Sequence, residues 1–245
     1  MFIIQPYIFK QFPKIVSAIS TRIGLNREAP YSFNLSVNVG DDLNNVLENR
    51  KAFFDRLGFN ENEMVFQNQI HSDIISVVDS PGNCGESDSL ITSQTNLMLV
   101  ITIADCTPVL IYDAENHVIA AVHSGWRGAE NQILKKTLLR MNHLFNSNGQ
   151  NLYVYLGPSI SQVNYEVGKE IAELFDKNFI INLKGKYFLD VASLNYHFLI
   201  DFGVKPNNIQ KSVLCTYQMK DLLHSFRRDG DKSGRSVAVI AMRNS

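Results

Sequence analysis

The chain has 245 residues, enough for a substantial core, and its composition is that of an ordinary soluble globular protein. A formal net charge of −1 excludes a global field favouring nucleic acid or an anionic membrane surface, so neither is expected as a partner. The start, Met1-Phe2-Ile3-Ile4-Gln5-Pro6, lacks the basic and apolar regions of a signal peptide, and no apolar run approaches the ~20 residues of a membrane span. The three cysteines, Cys84, Cys106 and Cys215, are widely spaced and odd in number, which argues for a reducing cytoplasm over a disulfide framework.

Ile15 to Ser20 reads as a strand leading into Thr21-Arg22-Ile23-Gly24. Residues 26 to 42, rich in Asn, Asp, Ser and Gly, read as loop. Asp41 or Asp42 is placed to cap a helix from about Asn44 to Leu57, with Leu43, Val46, Leu47, Phe53, Phe54 and Leu57 as its apolar stripe and Gly58 as its stop. Met64 to Ser72 reads as a strand entering a polar corner at His71, and Ile74 to Val78 as another strand. Ser80 to Gly85 reads as a turn.

Leu97 to Ile103, Val109 to Tyr112 and Val118 to Val122 are short Val- and Ile-rich runs bounded by turn residues, the pattern of buried strands. A hairpin of the last two about Glu115 brings Cys106 and His123 together at its open end. Gly128 to Phe145 then carries helical periodicity, Leu152 to Leu156 is a strand, and Val167 to Phe175 and Val191 to Phe202 are helix candidates. Ile209 to Leu214 and Val237 to Ala241 read as late strands, separated by a polar, basic loop from Ser225 to Ser236. With no internal repeat, low-complexity tract or linker, residues 1–245 read as one α+β domain with mixed sheets.

His71, Cys106 and His123 each sit where a strand meets a corner of polar or small residues. Two imidazoles and a thiolate suit zinc, with a fourth position open for water, as in catalytic zinc sites. The same residues also admit a metal-free reading, with Cys106 as nucleophile and His123 as base, which leaves His71 without a role. Arg22, Arg127, Arg227 and Arg228 lie in turns beside Gly or Asp, and guanidinium forks suit phosphate or carboxylate; Arg127 and Arg228 are the better placed. Trp126, Tyr165 and Phe226 are candidates to stack on a planar ligand, and Glu166 and Asp88 are isolated acids that the spacing does not select. His117, His143 and His197 read as structural or surface residues, and His224 stays open.

Several motifs fall in order along nearly the whole chain: Ser20-Thr21-Arg22, Gln69-Ile70-His71, Ala104-Asp105-Cys106-Thr107-Pro108, His123-Ser124-Gly125-Trp126-Arg127-Gly128, Leu156-Gly157-Pro158-Ser159, Tyr165-Glu166-Val167-Gly168 and Phe226-Arg227-Arg228-Asp229-Gly230. With them the chain resembles the laccase-domain (polyphenol oxidase) family, also described as purine nucleoside phosphorylases and, in bacteria, as peptidoglycan editing factors. It departs from the family pattern at Ile23, at Ser72 and at Val163-Asn164.

The resemblance implies one domain of mixed β-sheets packed between helices, similar to the catalytic domain of cytotoxic necrotising factors. It implies His71, Cys106 and His123 as zinc ligands, and phosphorolysis of adenosine, inosine, guanosine and methylthioadenosine together with deamination of adenosine. Purine nucleosides and phosphate are then the partners. Arg228 and Arg127, with Arg22, are expected to hold the phosphate, and Glu166 to supply a proton to the departing base or amine. The His-x-Glu and Pro-Cys-x-x-Cys signature of zinc nucleobase deaminases is absent. Copper is the alternative metal, because two histidines and a cysteine are also the blue-copper set; a four-copper oxidase, however, needs about ten histidines. The chain has six. A further alternative is hydrolytic editing of a peptidoglycan precursor at the same site.

Overall fold

The structure, a computed structural model, describes residues 1–244. In chain order the first strands are β1 (Ile3–Ile4), β2 (Ile15–Ser20), β3 (Met64–Asn68), β4 (Ile75–Val77), β5 (Gly82–Glu86), β6 (Ser89–Thr92), β7 (Met98–Ile103) and β8 (Thr107–Asp113). They are followed by β9 (Val118–Ser124), β10 (Leu152–Leu156), β11 (Glu166–Val167), β12 (Ile180–Leu183), β13 (Lys186–Leu189), β14 (Ile209–Lys211) and β15 (Ser236–Met242). The α-helices are α1 (Leu43–Arg56), α2 (Trp126–Glu130), α3 (Ile133–Phe145), α4 (Lys169–Ala172), α5 (Val191–Asp201) and α6 (Phe226–Asp229).

Two six-stranded sheets carry the fold, in the orders β1-β2-β15-β7-β3-β5 and β14-β10-β8-β9-β6-β4, and β11, β13 and β12 form a small third sheet. Both large sheets mix pairings: β3 runs parallel to β5 and β7, whereas β15 runs antiparallel to β2 and β7. In the second sheet β8 and β9 are antiparallel while β6 and β4 are parallel. The protein is therefore α+β with mixed sheets.

Alternation on β7 sorts its side chains between two cores. Leu99, Ile101 and Ile103 meet Leu90, Leu110, Ile119 and Tyr155 of the second sheet in the space between the sheets. Met98 and Val100 face outward, against Phe53 and Phe54 of α1. On the far side Val109, Ile111 and Val122 pack against Ile133, Leu134, Leu138 and Met141 of α3 and Leu199 of α5. The layers thus run helix, sheet, sheet, helices, each large side chain contributing roughly 1.5–3 kcal/mol on burial.

Several local expectations hold. Asp42 caps α1, its Oδ1 accepting from the Asn44 and Asn45 amides at 2.8 and 3.3 Å, and Gly58 past its end adopts φ +73°. Val46, Phe53 and Phe54 form its buried stripe, but Leu43 and Leu47 are exposed, because the helix rests on the sheet through its C-terminal half. The helical pattern from Gly128 to Phe145 breaks into α2 and α3 at Gln132, which is left-handed at φ +59°. The segment from Val167 to Phe175 contains only the single turn α4; Val167 belongs to β11 instead. The run read as a turn at Ser80 to Gly85 contains β5, an exposed edge strand held by backbone pairing to β3 without an apolar pattern.

A candidate metal centre in an arginine-lined cavity

The hairpin β8–β9 closes through Asp113, whose Oδ1 accepts from the Glu115 and Asn116 amides at 3.0 and 3.1 Å. Its register pairs Pro108 with His123 and Thr107 with Ser124, so Cys106, just before β8, lies beside His123. Cys106 occupies the corner where the chain crosses from β7 in the first sheet to β8 in the second. His71 occupies the crossing from β3 to β4, at the same end. Ligand atoms of His71, Cys106 and His123 all lie within 4.8 Å of one another, and the two imidazole centroids are 4.9 Å apart. The sequence-derived trio is assembled.

Backbone strain accompanies the corners. His71 and Asp105 sit at φ +58° and +87°, conformations that non-glycine residues enter at a cost of about 1–2 kcal/mol. Asp105 is buried and tied on both oxygens: Thr216 Oγ1 donates to Oδ1 at 2.6 Å and the Arg227 amide to Oδ2 at 2.7 Å. Gly125 closes the cluster from behind. A Cβ there would stand 2.9 Å from Cys106 Sγ and 3.1 Å from His71 Cδ2, so only glycine leaves the donors room.

Charge is distributed to suit a thiolate. Burial pushes the Cys106 thiol up, but the His123 and His71 imidazoles outweigh it and bring the thiol down to about 6. Burial pulls His123 down, and the Cys106 thiolate with Asp88 overcomes this to hold it at about 9. His123 Nδ1 meets Asp88 Oδ1 at 2.8 Å, which leaves Nε2 for the cluster. Asp88 is fully buried; burial raises its carboxyl, but His123 and Ser72 hold it below the usual carboxylate range.

The cluster opens into a cavity of about 860 Å³, within the range of small-molecule sites. Four guanidinium groups on its wall each lie over a ring: Arg50 over Phe66 at 4.6 Å, Arg127 over Trp126 at 4.5 Å, Arg227 over Tyr165 at 4.9 Å and Arg235 over Phe226 at 5.3 Å. Arg127 has no hydrogen-bond partner for its guanidinium among the described residues. Arg227 uses Nη1 to reach the Glu166 carbonyl at 2.7 Å. Burial lowers Tyr165's tendency to ionise, raising its pKa, with Cys106 acting in the same direction.

Other expected residues are elsewhere. Arg228 is largely buried and its guanidinium is saturated: it donates to the carbonyls of Thr216, Tyr217 and Leu223 and to both Asp229 oxygens. It does not line the cavity, whereas its neighbour Arg227 does, because successive side chains of the α6 turn point ~100° apart. Arg22 reaches the Lys220 carbonyl and Ser32 Oγ, and lies 3.9 Å from Asp229. Glu166 is exposed and accepts from Lys186 Nζ at 3.0 Å, on the strand face opposite Tyr165. His117 meets the Tyr112 hydroxyl at 3.1 Å and His197 packs on Phe179, apart from the cluster. His224 is buried at 3.5 Å from the Phe33 carbonyl.

Sequence spacing passed over Asp88 and Arg235. Asp88 is separated from His123 by 35 positions, and only the pairing of β6 with β9 makes them neighbours. The one available signal was that Asp88 sits beside a strand start among small polar residues.

These features define an α+β protein whose two-histidine, one-cysteine cluster lies in the crossings between two mixed sheets and faces a cationic, aromatic cavity. The chain belongs to the family described as multi-copper polyphenol oxidoreductase laccase, which it matches over residues 16–243. A purine nucleoside phosphorylase of Bacteroides thetaiotaomicron is 33% identical over 248 residues, covering 94% of this chain and 92% of that protein. Adenosine deaminase RL5, from an unknown prokaryotic organism, is 30% identical over 245 residues, covering 92% and 93%. The crystal structure of a Bacillus licheniformis hypothetical protein, YfiH, superposes with a TM-score of 0.90 at 27% identity over 96% of this chain and 94% of that one.

Proposed function

We propose that the chain is a zinc enzyme of purine nucleosides. It cleaves adenosine, inosine, guanosine and methylthioadenosine with phosphate, and it deaminates adenosine. The observation that carries this reading is a single cavity in which the His71, Cys106 and His123 donors face the guanidinium groups of Arg127 and Arg227 and the rings of Trp126, Tyr165 and Phe226. The naming of relatives as purine nucleoside phosphorylase and adenosine deaminase supports it.

The donor set fits zinc. It supplies one thiolate and two imidazoles, and His123 offers Nε2 because Nδ1 is engaged. His71, Cys106 and His123 would hold a zinc ion, which would supply Lewis acidity at the cavity wall. Arg127 and Arg227 bind phosphate through charge-assisted hydrogen bonds and orient it toward C1′ of the ribose. A phosphate oxygen forms the bond to C1′ as the C1′–N bond breaks; the departing purine takes the electron pair and then the proton that the hydrogen phosphate gives up. The aromatic rings hold the base by stacking and keep water from the reacting carbon. Asp105 anchors the Arg227 amide to the corner that carries Cys106, so the anion wall and the donor set move together.

Copper chemistry at several centres has less support: among the described residues, this is the one group of three or more metal-ligating side chains of its kind. The free thiols Cys84, Cys106 and Cys215 suit a reducing cytoplasm. Zinc-loaded protein should release hypoxanthine from inosine only with phosphate present, and convert adenosine to inosine without it. Elemental analysis should find one zinc per chain. Four coppers with phenol oxidation, or turnover of a peptidoglycan precursor and of no nucleoside, would overturn the reading.

A further inference from the structure

We propose that Asp88 is the positioning residue of this centre, one carboxylate that sets both histidine donors at once. The inference rests on the metal reading above. Oδ1 faces His123 Nδ1 at 2.8 Å. Oδ2 accepts from the Ile70 amide at 3.2 Å, the Ser72 amide at 2.6 Å and the Ser72 hydroxyl at 2.8 Å. Ile70 and Ser72 flank His71, so the same carboxylate clamps the turn in which His71 takes its left-handed conformation.

The backbone of Asp88 repeats the pattern. Its amide donates to the Ile74 carbonyl at 3.0 Å, and its carbonyl accepts from the His123 amide at 2.8 Å. Asp88 therefore joins the crossing that carries His71 to the strand that carries His123.

Chemistry fixes the role. An ionised carboxylate has about four lone-pair sites and only accepts. Four donors reach the Asp88 oxygens, and its side chain is wholly buried, so it has no site left for a substrate. As an acceptor it requires the proton of His123 on Nδ1, and that leaves the Nε2 lone pair for a metal. As the acceptor for the turn it satisfies the amides on both sides of His71 and opposes relaxation of the strained residue. Ser72, one of the positions at which the chain departs from the family pattern, supplies two of the donors.

Asp88→Asn separates this from a general structural role. An amide of the same shape has one acceptor and one donor. With its oxygen toward the turn, its NH₂ meets Nδ1 and drives the imidazole proton to Nε2. With its oxygen toward His123, the NH₂ confronts three donors.

Either way one arm fails. On the full chain, zinc affinity measured by competition with a chromophoric chelator should fall ~10- to 100-fold, with the circular dichroism spectrum unchanged. In ¹⁵N-edited proton spectra of zinc-saturated protein, the wild type should show the His123 Nδ1–H far downfield, as a donor to a carboxylate, and the variant should lose that downfield shift. Ser72→Ala removes one donor from the turn alone: it should weaken zinc by a smaller factor, shift His71 and leave the His123 Nδ1–H in place. It also serves if Asp88→Asn does not fold.

Zinc affinity at the wild-type level in the folded Asp88→Asn variant, or an unshifted His123 Nδ1–H, would overturn the inference. So would an unchanged His71 and unchanged zinc affinity in Ser72→Ala. Wild-type protein that binds no zinc would instead overturn the metal reading itself.

Discussion

The two walls of the cavity are built by different means. Cys106 and His123 are placed by a hairpin whose residues from Thr107 to Asp113 and Val118 to Ser124 are all buried, so main-chain register and apolar packing fix them. Arg227 and Arg235 ride on the segment from Thr216 to Arg235, whose only regular elements are short helical turns, and polar ties hold that segment: Arg228 to three carbonyls, Arg22 to Lys220, Asp105 to Thr216 and Arg227. The difference teaches that a cluster needing fixed spacing is carried by sheet, while two of the cavity's arginines are carried by a loop that charged groups hold from within.

The largest effect should follow from Cys106→Ala. It removes one of the three donors from the rigid wall, so zinc content should fall from one per chain to near zero and nucleoside turnover should drop below detection. The circular dichroism spectrum should persist, because Cys106 lies at a strand mouth and not in a core cluster. Full metal retention would break the comparison at its first term.

Arg227→Ala on the loop wall, and Arg127→Ala on α2 beside the hairpin, should each reduce phosphorolysis of inosine about 10- to 100-fold, the cost of a charge-assisted bond of roughly 1.5–3 kcal/mol. Adenosine deamination, which has no phosphate to hold, should suffer less. Equal losses in the two assays would mean that these arginines serve the shared nucleoside site.

Arg228→Ala tests the polar ties. It leaves the Thr216, Tyr217 and Leu223 carbonyls without their donor, and it should lower unfolding free energy by about 2–4 kcal/mol while reducing both reactions together. Denaturant midpoints and the ratio of the two activities check this. A selective loss of phosphorolysis with unchanged stability would return Arg228 to the phosphate role first read from the sequence.

The most gradual effect concerns acid, since it builds over several pH units. Burial, reinforced by the Arg22 and Arg235 charges and only partly opposed by the Phe33 carbonyl and Asp229, pushes His224 down to about 3. Folded protein then keeps His224 neutral where the unfolded chain, at its usual ~6.5, takes a proton. Stability is complete above pH ~6.5 and declines by about 1 kcal/mol per unit as pH falls from there toward about 3. His224→Gln should flatten this slope in urea midpoints measured against pH. An unchanged slope would show that the loop wall is no more acid-sensitive than the sheets.

How much was legible follows the same division. The hairpin and its two donors could be read because β-branched runs and an Asp-initiated turn carry their own signals. His71 could be read from its place where a strand enters a polar corner, although nothing local announces its left-handed conformation. The anion wall was half legible: arginines in a polar loop were visible, but choosing Arg227 over Arg228 depends on which way one short turn faces. Glu166 was read as an acid beside the site, yet strand alternation sends it to Lys186 and turns Tyr165 inward. β5 was missed because an edge strand of Gly, Asn and Cys has no apolar pattern to read.

The position of β15 has a consequence for synthesis. It lies between β2 and β7 in the first sheet, and its Val237 amide donates to Ser20 Oγ across 217 positions. At the usual ~5–20 residues per second, β2 waits roughly 10–40 s for that neighbour, with Ala18 and Ile19 uncovered on both faces. The hairpin that bears Cys106 and His123 closes within its own stretch of chain, long before. Arg235, adjoining β15, is made in the same late interval, so the arginine lining of the cavity is completed only as this central strand slots home, well after the hairpin has placed Cys106 and His123.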